Sequence, residues 1–173
     1  LIKLPMFNST ELPQADERSA ILYKTIVSFL HSFGNNSALF CAILTYIIIF
    51  SQALQLNKLI NDQRMTLRTT FLPAVSYIII TSLLPEWNFF SAPLLVNSLV
   101  LLVFTGLFKL YNQHNVNGNI FNIGFAIGLS AFIFFPSVIL FGWLIFALMV
   151  MRTVKITEWL ICLLGLTAPF YFY

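Results

Sequence analysis

Charge is what this sequence has least of. Of 173 residues, nine are Lys or Arg and six are Asp or Glu, 9% in all, where a soluble domain carries about 25%. A surface this poor in charge excludes water as the main solvent of the fold, and lipid is the solvent that accepts it. Cysteine is scarce as well. Cys41 and Cys162 each stand inside an apolar run, far from the other thiol, and neither makes a metal-ligand pattern. His31 and His114 are isolated. No Ser-His-Asp set, phosphate-cradling glycine loop or HExxH pattern is present. No apolar run carries a charge well inside it, which counts against an ion pump or a proton-coupled transporter. The formal charge of +3 does not indicate nucleic acid, because the basic residues sit in short connectors between apolar runs.

What is present is hydrophobic: 59% of the residues. The spacing predicts an all-α polytopic integral membrane protein with about six transmembrane helices. Spans are expected at about 37–56, 70–85, 93–110, 120–135, 136–151 and 158–173. Residues 1–36 form a separate exterior stretch, in which Pro5 and Pro13 argue against one long helix. Within it, residues 21–33 read as an amphipathic interfacial helix. Ile21, Leu22, Ile26, Phe29, Leu30 and Phe33 form the apolar side; Lys24, Thr25, Ser28, His31 and Ser32 form the other. The run 120–151 would rise roughly 48 Å as one helix, too long for a single crossing without strong tilt, so Pro136 at its middle divides it in two. The apolar runs are continuous rather than alternating, which argues against a membrane barrel. The chain opens on Leu1 and closes on an apolar run at 167–173 without a polar tail. The expectation is an N-terminal part of a longer chain whose missing first helix crosses from the cytoplasm.

Charge orients the spans. Connectors 57–70, 111–119 and 152–157, with their flanks, share one side and hold Lys58, Arg64, Arg68, Lys109, Arg152 and Lys155. The other side holds Lys3, Arg18 and Lys24. Six basic residues against three place the richer side in the cytoplasm and residues 1–36 in the periplasm of a bacterial inner membrane. Arg64, Arg68, Lys109, Arg152 and Lys155 are then candidates for contact with lipid phosphate, or simple snorkelling cations. Trp87, Phe89, Phe90 and Trp159 suit aromatic belts at the two boundaries.

Three acids on the exterior side are candidate catalytic groups: Glu11, Asp16 and Glu86. A carboxylate at a membrane surface can act as a general base, or can hold a divalent metal on a phosphate. Asp16 and Glu17 equally read as helix-start acids, which favour the positive end of the dipole. Three residues suit helix packing. Asn97 is an amide within a span and calls for a partner on a neighbouring helix, as do Gln52 and Gln55. Gly124 and Gly128 make a GxxxG step that lets helices approach closely.

Two resemblances follow from these residues. Asn61, Asp62, Gln63 and Arg64, the span ending Ser82 to Pro85, and the Phe170 region after Trp159 and Gly165 resemble an uncharacterised polytopic inner-membrane family of the Bacteroidetes. That likeness runs from about residue 57 to the end and implies no activity. The layout of an exterior loop, an interfacial helix and short paired spans is similar to polyprenyl-phosphate-dependent glycosyltransferases of the GT-C type. That resemblance implies a catalytic acid at Asp16 or Glu11, with Glu86 as a second, although the later loop lacks an adjacent acid pair. It further implies a polyprenyl-phosphate-linked substrate and a divalent metal if the transferase is active. Three functions therefore stand side by side: a non-catalytic or accessory subunit of an envelope complex with other membrane proteins, a GT-C-like transferase, and a small-molecule or lipid transporter. The residues themselves call for no cofactor and for membrane lipids as partners.

Overall fold

The computed structural model describes residues 21–33, 38–84, 87, 89–110, 117–151 and 156–171. Its regular elements are all helices: α1 (Ile21–Phe33), α2 (Ala38–Asp62), α3 (Leu72–Leu83), α4 (Ala92–Leu110), α5 (Asn117–Ile133), a 3-10 turn (Phe135–Val138), α6 (Ile139–Met151) and α7 (Ile156–Tyr171). They fall into two compact units, one built on Tyr23–Ser98 and the other on Leu99–Tyr173. Helix α4 contributes its first part to the former and the remainder to the latter.

Among the described residues, two helices are long and apolar enough to cross a membrane. Leu39–Asp62 has 24 residues and a mean hydropathy of 2.0; Ala92–Leu110 has 19 and 1.9. In each, only 33% of the apolar window is buried, so most of its hydrophobic surface faces outward. The remaining apolar helices are shorter: 12 residues in α3, 17 in α5, 13 in α6 and 16 in α7. At 1.5 Å per residue, α3 rises about 18 Å and α5 about 26 Å, against a hydrocarbon core of about 30 Å. Of the six expected spans, two therefore have full crossing length and four are short. Proline sets several of the limits. Pro73 occupies the first turn of α3, where a missing donor does least harm. Leu84, just before Pro85, is already extended at φ −99°, ψ 109°. Pro136 opens the 3-10 turn that parts α5 from α6.

In the first unit, α1 buries Tyr23, Val27 and Leu30, one side of a helix at i, i+4 and i+7. This corrects the apolar side read from sequence. Phe29 is 61% exposed, and the anchor is Tyr23, whose hydroxyl donates to the Phe90 carbonyl at 3.0 Å and whose ring stacks on Phe90. Phe90 is thus buried and is not a belt residue. Helix α2 carries mainly small and polar groups inward, with Ile49 and Leu59, and turns most of its large apolar side chains outward. Ala42, Thr45, Gln52 and Ala53 are buried, while Leu39, Ile43, Ile47 and Phe50 are exposed. Thr45 satisfies its hydroxyl on the Cys41 carbonyl one turn back, at 2.8 Å.

Helix α2 runs six residues past the expected end at 56, because Asn57 to Asp62 continue the helix before a defined stop. Met65 N–H donates to the Ile60 carbonyl at 3.1 Å and Arg64 N–H to the Asn61 carbonyl at 3.0 Å. Arg64 is in the left-handed region at φ 51°. This is a Schellman motif with arginine at the position glycine favours. The Asn61 amide then clasps the connector, donating to the Thr70 carbonyl at 3.1 Å and accepting from Thr70 N–H at 3.3 Å. A side chain at φ 51° crowds the following carbonyl. Arg64→Gly is therefore expected to raise unfolding stability by about 1 kcal/mol, read from denaturant titration in detergent. A loss of stability would mean that the Arg64 side chain contributes more than its backbone costs.

The second unit has a core of Val103, Leu107, Leu110, Ile120, Ile123, Ile127, Leu144, Leu148 and Cys162. Its closest contact joins α5 to α7. A Cβ at Gly124 would run into the Cys162 carbonyl, one at Gly128 into the Leu166 carbonyl, and one at Gly165 into the Phe121 carbonyl. Phe132 meets Phe170 edge-on at 5.3 Å. The pairs 124/162, 128/166 and 132/170 keep a constant separation of 38 residues. The two helices therefore run parallel, in contact turn after turn, and α6 is the return between them. Trp143 of α6 leans on Phe104 of α4, ring centres 5.0 Å apart.

Candidate functional site

The first unit encloses a polar cluster on an otherwise apolar interior. Ile49 of α2 and Leu94 of α4 make the apolar contact, with Ile48, Tyr77 and Trp87 packed around it. One turn beyond Ile49 on the same side of α2 comes Gln52, which is 1% exposed. Its Nε2 donates to the Leu94 carbonyl at 2.8 Å and to Ser98 Oγ at 2.7 Å. Its Oε1 accepts from the Tyr77 hydroxyl at 2.6 Å and from Asn97 Nδ2 at 3.2 Å. Asn97 Nδ2 also donates to the Tyr77 hydroxyl, at 2.7 Å.

A carboxamide has two donor hydrogens and two acceptor lone pairs. Gln52 uses all four. The orientation of its amide follows from the partners, because the Leu94 carbonyl can only accept and so must face the nitrogen. Tyr77 both donates and accepts. The cluster ties α2, α3 and the start of α4 together through five hydrogen bonds. Its members are neutral amides and hydroxyls in a water-poor interior, where satisfied networks rigidify and unsatisfied ones are costly. Chemically, the arrangement fixes the register of three helices.

Towards the far end of α2 the pattern differs. Gln55 Oε1, Asn57 Oδ1 and Thr70 Oγ1 are buried without a hydrogen-bond partner, although buried polar atoms are usually paired. Among the described residues, no group of three or more His, Cys, Asp or Glu is placed to hold a metal.

The sequence-derived candidates are distributed as follows. Glu11, Asp16, Glu86, Arg152 and Lys155 lie outside the described residues. Arg64 and Arg68 are exposed on the α2–α3 connector of the first unit, and Lys109 is exposed at the end of α4 in the second. Asn97 is part of the polar cluster. Gly124 and Gly128 face α7. Sequence reasoning missed Tyr77 and Ser98 as partners of Gln52, and Gly165 as a contact of α7 with α5. A hydroxyl in an apolar run gives little warning of this, since it can bond back to its own helix, as Thr81 and Ser82 do here.

No family model, curated protein or solved structure matches the chain.

Proposed function

We propose that this chain is a multi-pass protein of the bacterial inner membrane that serves as a non-catalytic, accessory subunit of an envelope complex. The observation that carries the reading is the saturation of Gln52. This buried amide is fully engaged by other helices, so its chemistry is spent on holding structure. A transport path needs groups at membrane depth that can exchange partners with a cargo, and a fully bonded amide is poorly suited to that. The outward display of large apolar side chains supports a lipid or protein environment on the flanks. Residues 1–36 are periplasmic in this reading, and the ends of α2 and α4 that bear Lys58 and Lys109 are cytoplasmic.

The test is isolation of the tagged chain from its native membrane in mild detergent. A fixed stoichiometry with a second membrane protein is expected, and it should persist in an Asp16→Ala/Glu86→Ala variant with host growth unchanged. Failure of growth at normal protein level would overturn the accessory reading and favour a GT-C-like transferase using those acids.

A further inference from the structure

We propose that the groove between α4 and α5 is a binding site for one anionic phospholipid, its phosphate at Lys109 and one acyl chain along the apolar remainder. The proposal rests on the membrane reading above, and it concerns the second unit alone. The groove encloses about 410 Å³, within the range of about 300–1,000 Å³ usual for small-ligand sites. Its floor is the contact of Gly106 with Ile123, where a Cβ would come within 2.8 Å of the Ile123 side chain. The missing side chain at 106 lets the two helices meet below the opening.

The lining is graded along its length. Helices α4 and α5 are antiparallel here, since Gly106 faces Ile123 and the buried Leu110 and Ile120 lie nearer the loop that joins the helices. Lys109 and Asn122 therefore share the end near the connector, both exposed. Leu99, Leu102 and Leu129 share the other. From 99 to 109 the helix rises about 15 Å, half of a hydrocarbon core of about 30 Å. The groove thus covers one leaflet, with Lys109 and the amides Asn119 and Asn122 at headgroup level, Thr105 one turn deeper, and apolar groups toward the midplane. A free phosphate would use the polar end and leave the remaining length unexplained. A zwitterionic lipid would fill the length, but its own cation would oppose Lys109. Charge and length together select an anionic lipid.

The experiment is native mass spectrometry of the full chain released from detergent micelles. The probes are dioleoylphosphatidylglycerol, dioleoylphosphatidylcholine and inorganic phosphate. One tightly held phosphatidylglycerol is expected, preferred over phosphatidylcholine by about fivefold, the effect of one basic residue at a membrane surface. Lys109→Gln should abolish that preference while leaving helical content unchanged. Ala126→Phe, which fills the groove wall, should remove the bound lipid of either kind. The proposal is overturned if Lys109→Gln keeps the preference, if Ala126→Phe keeps the lipid, or if inorganic phosphate displaces the lipid at equal concentration. Failure of the membrane reading itself would be seen separately, as a monodisperse chain in detergent-free buffer.

Discussion

Gln52→Ala is expected to destabilise the first unit by about 3 kcal/mol, combining the lost hydrogen bonds with the cavity left behind. The decisive measurement is a comparison of variants rather than this single loss. Gln52→Leu restores most of the volume but leaves the Tyr77 hydroxyl without its acceptor, and should still cost about 2 kcal/mol. Tyr77→Phe alone removes one bond to Gln52 and the acceptor at 2.7 Å used by Asn97, for about 1 kcal/mol. Combined, Gln52→Leu and Tyr77→Phe should cost about 1 kcal/mol less than the sum, because each removes the group that the other orphans. Unfolding by SDS in bicelles, followed by circular dichroism, gives all four values. Additivity to within about 0.5 kcal/mol would mean that the cluster does not act as a unit, and would remove the main support for a structural role.

Glycine to alanine is expected to have opposite signs at two places in the second unit. At Gly165 the added Cβ meets the Phe121 carbonyl and, at 3.0 Å, the Phe125 nitrogen. Both are backbone atoms, so relief requires α5 and α7 to separate along their length. Gly165→Ala should cost about 2 kcal/mol, and Gly165→Leu should prevent the unit from forming. At Gly142, in α6, an added Cβ meets nothing within 4 Å. Gly142→Ala then gains only the helix propensity of alanine and should stabilise by about 0.5–1 kcal/mol. Both substitutions change the same atoms in the same kind of element, so only the neighbour differs. A destabilised Gly142→Ala, or a neutral Gly165→Ala, would contradict the packing described.

These two sites also show what could be read from the sequence. Helical class was legible because long apolar runs bounded by prolines leave few alternatives, and Pro73 and Pro136 mark real boundaries. Which face turns inward was not legible. In a water-soluble helix, hydrophobicity marks the buried side. In α2, exposed Ile47 and buried Ile49 are both isoleucine, so hydrophobicity alone does not mark the buried side. The same ambiguity misplaced the buried side of α1, where Tyr23 and Val27 are inward and Phe29 is outward. That Asn97 needs a partner follows from an amide in an apolar run. That the partners are Gln52 and Tyr77, 45 and 20 residues away, depends on how three helices align, and no local pattern carries it. The end of α2 was misread because Asn57, Lys58, Asn61 and Asp62 look like a connector by polarity, while the backbone stops at Arg64.

The partners that α5 meets on α7 lie about 40 residues further along the chain, 38 in the pairs 124/162, 128/166 and 132/170, so translation separates the making of one helix from the arrival of its mate. At about 5–20 residues per second, that interval is roughly 2–8 s. During it, Gly124 and Gly128 have emerged without the backbone they are shaped to meet. Release of the nascent chain before Gly165 would leave α5 unmatched for good, which makes the second unit a unit of synthesis as much as of folding.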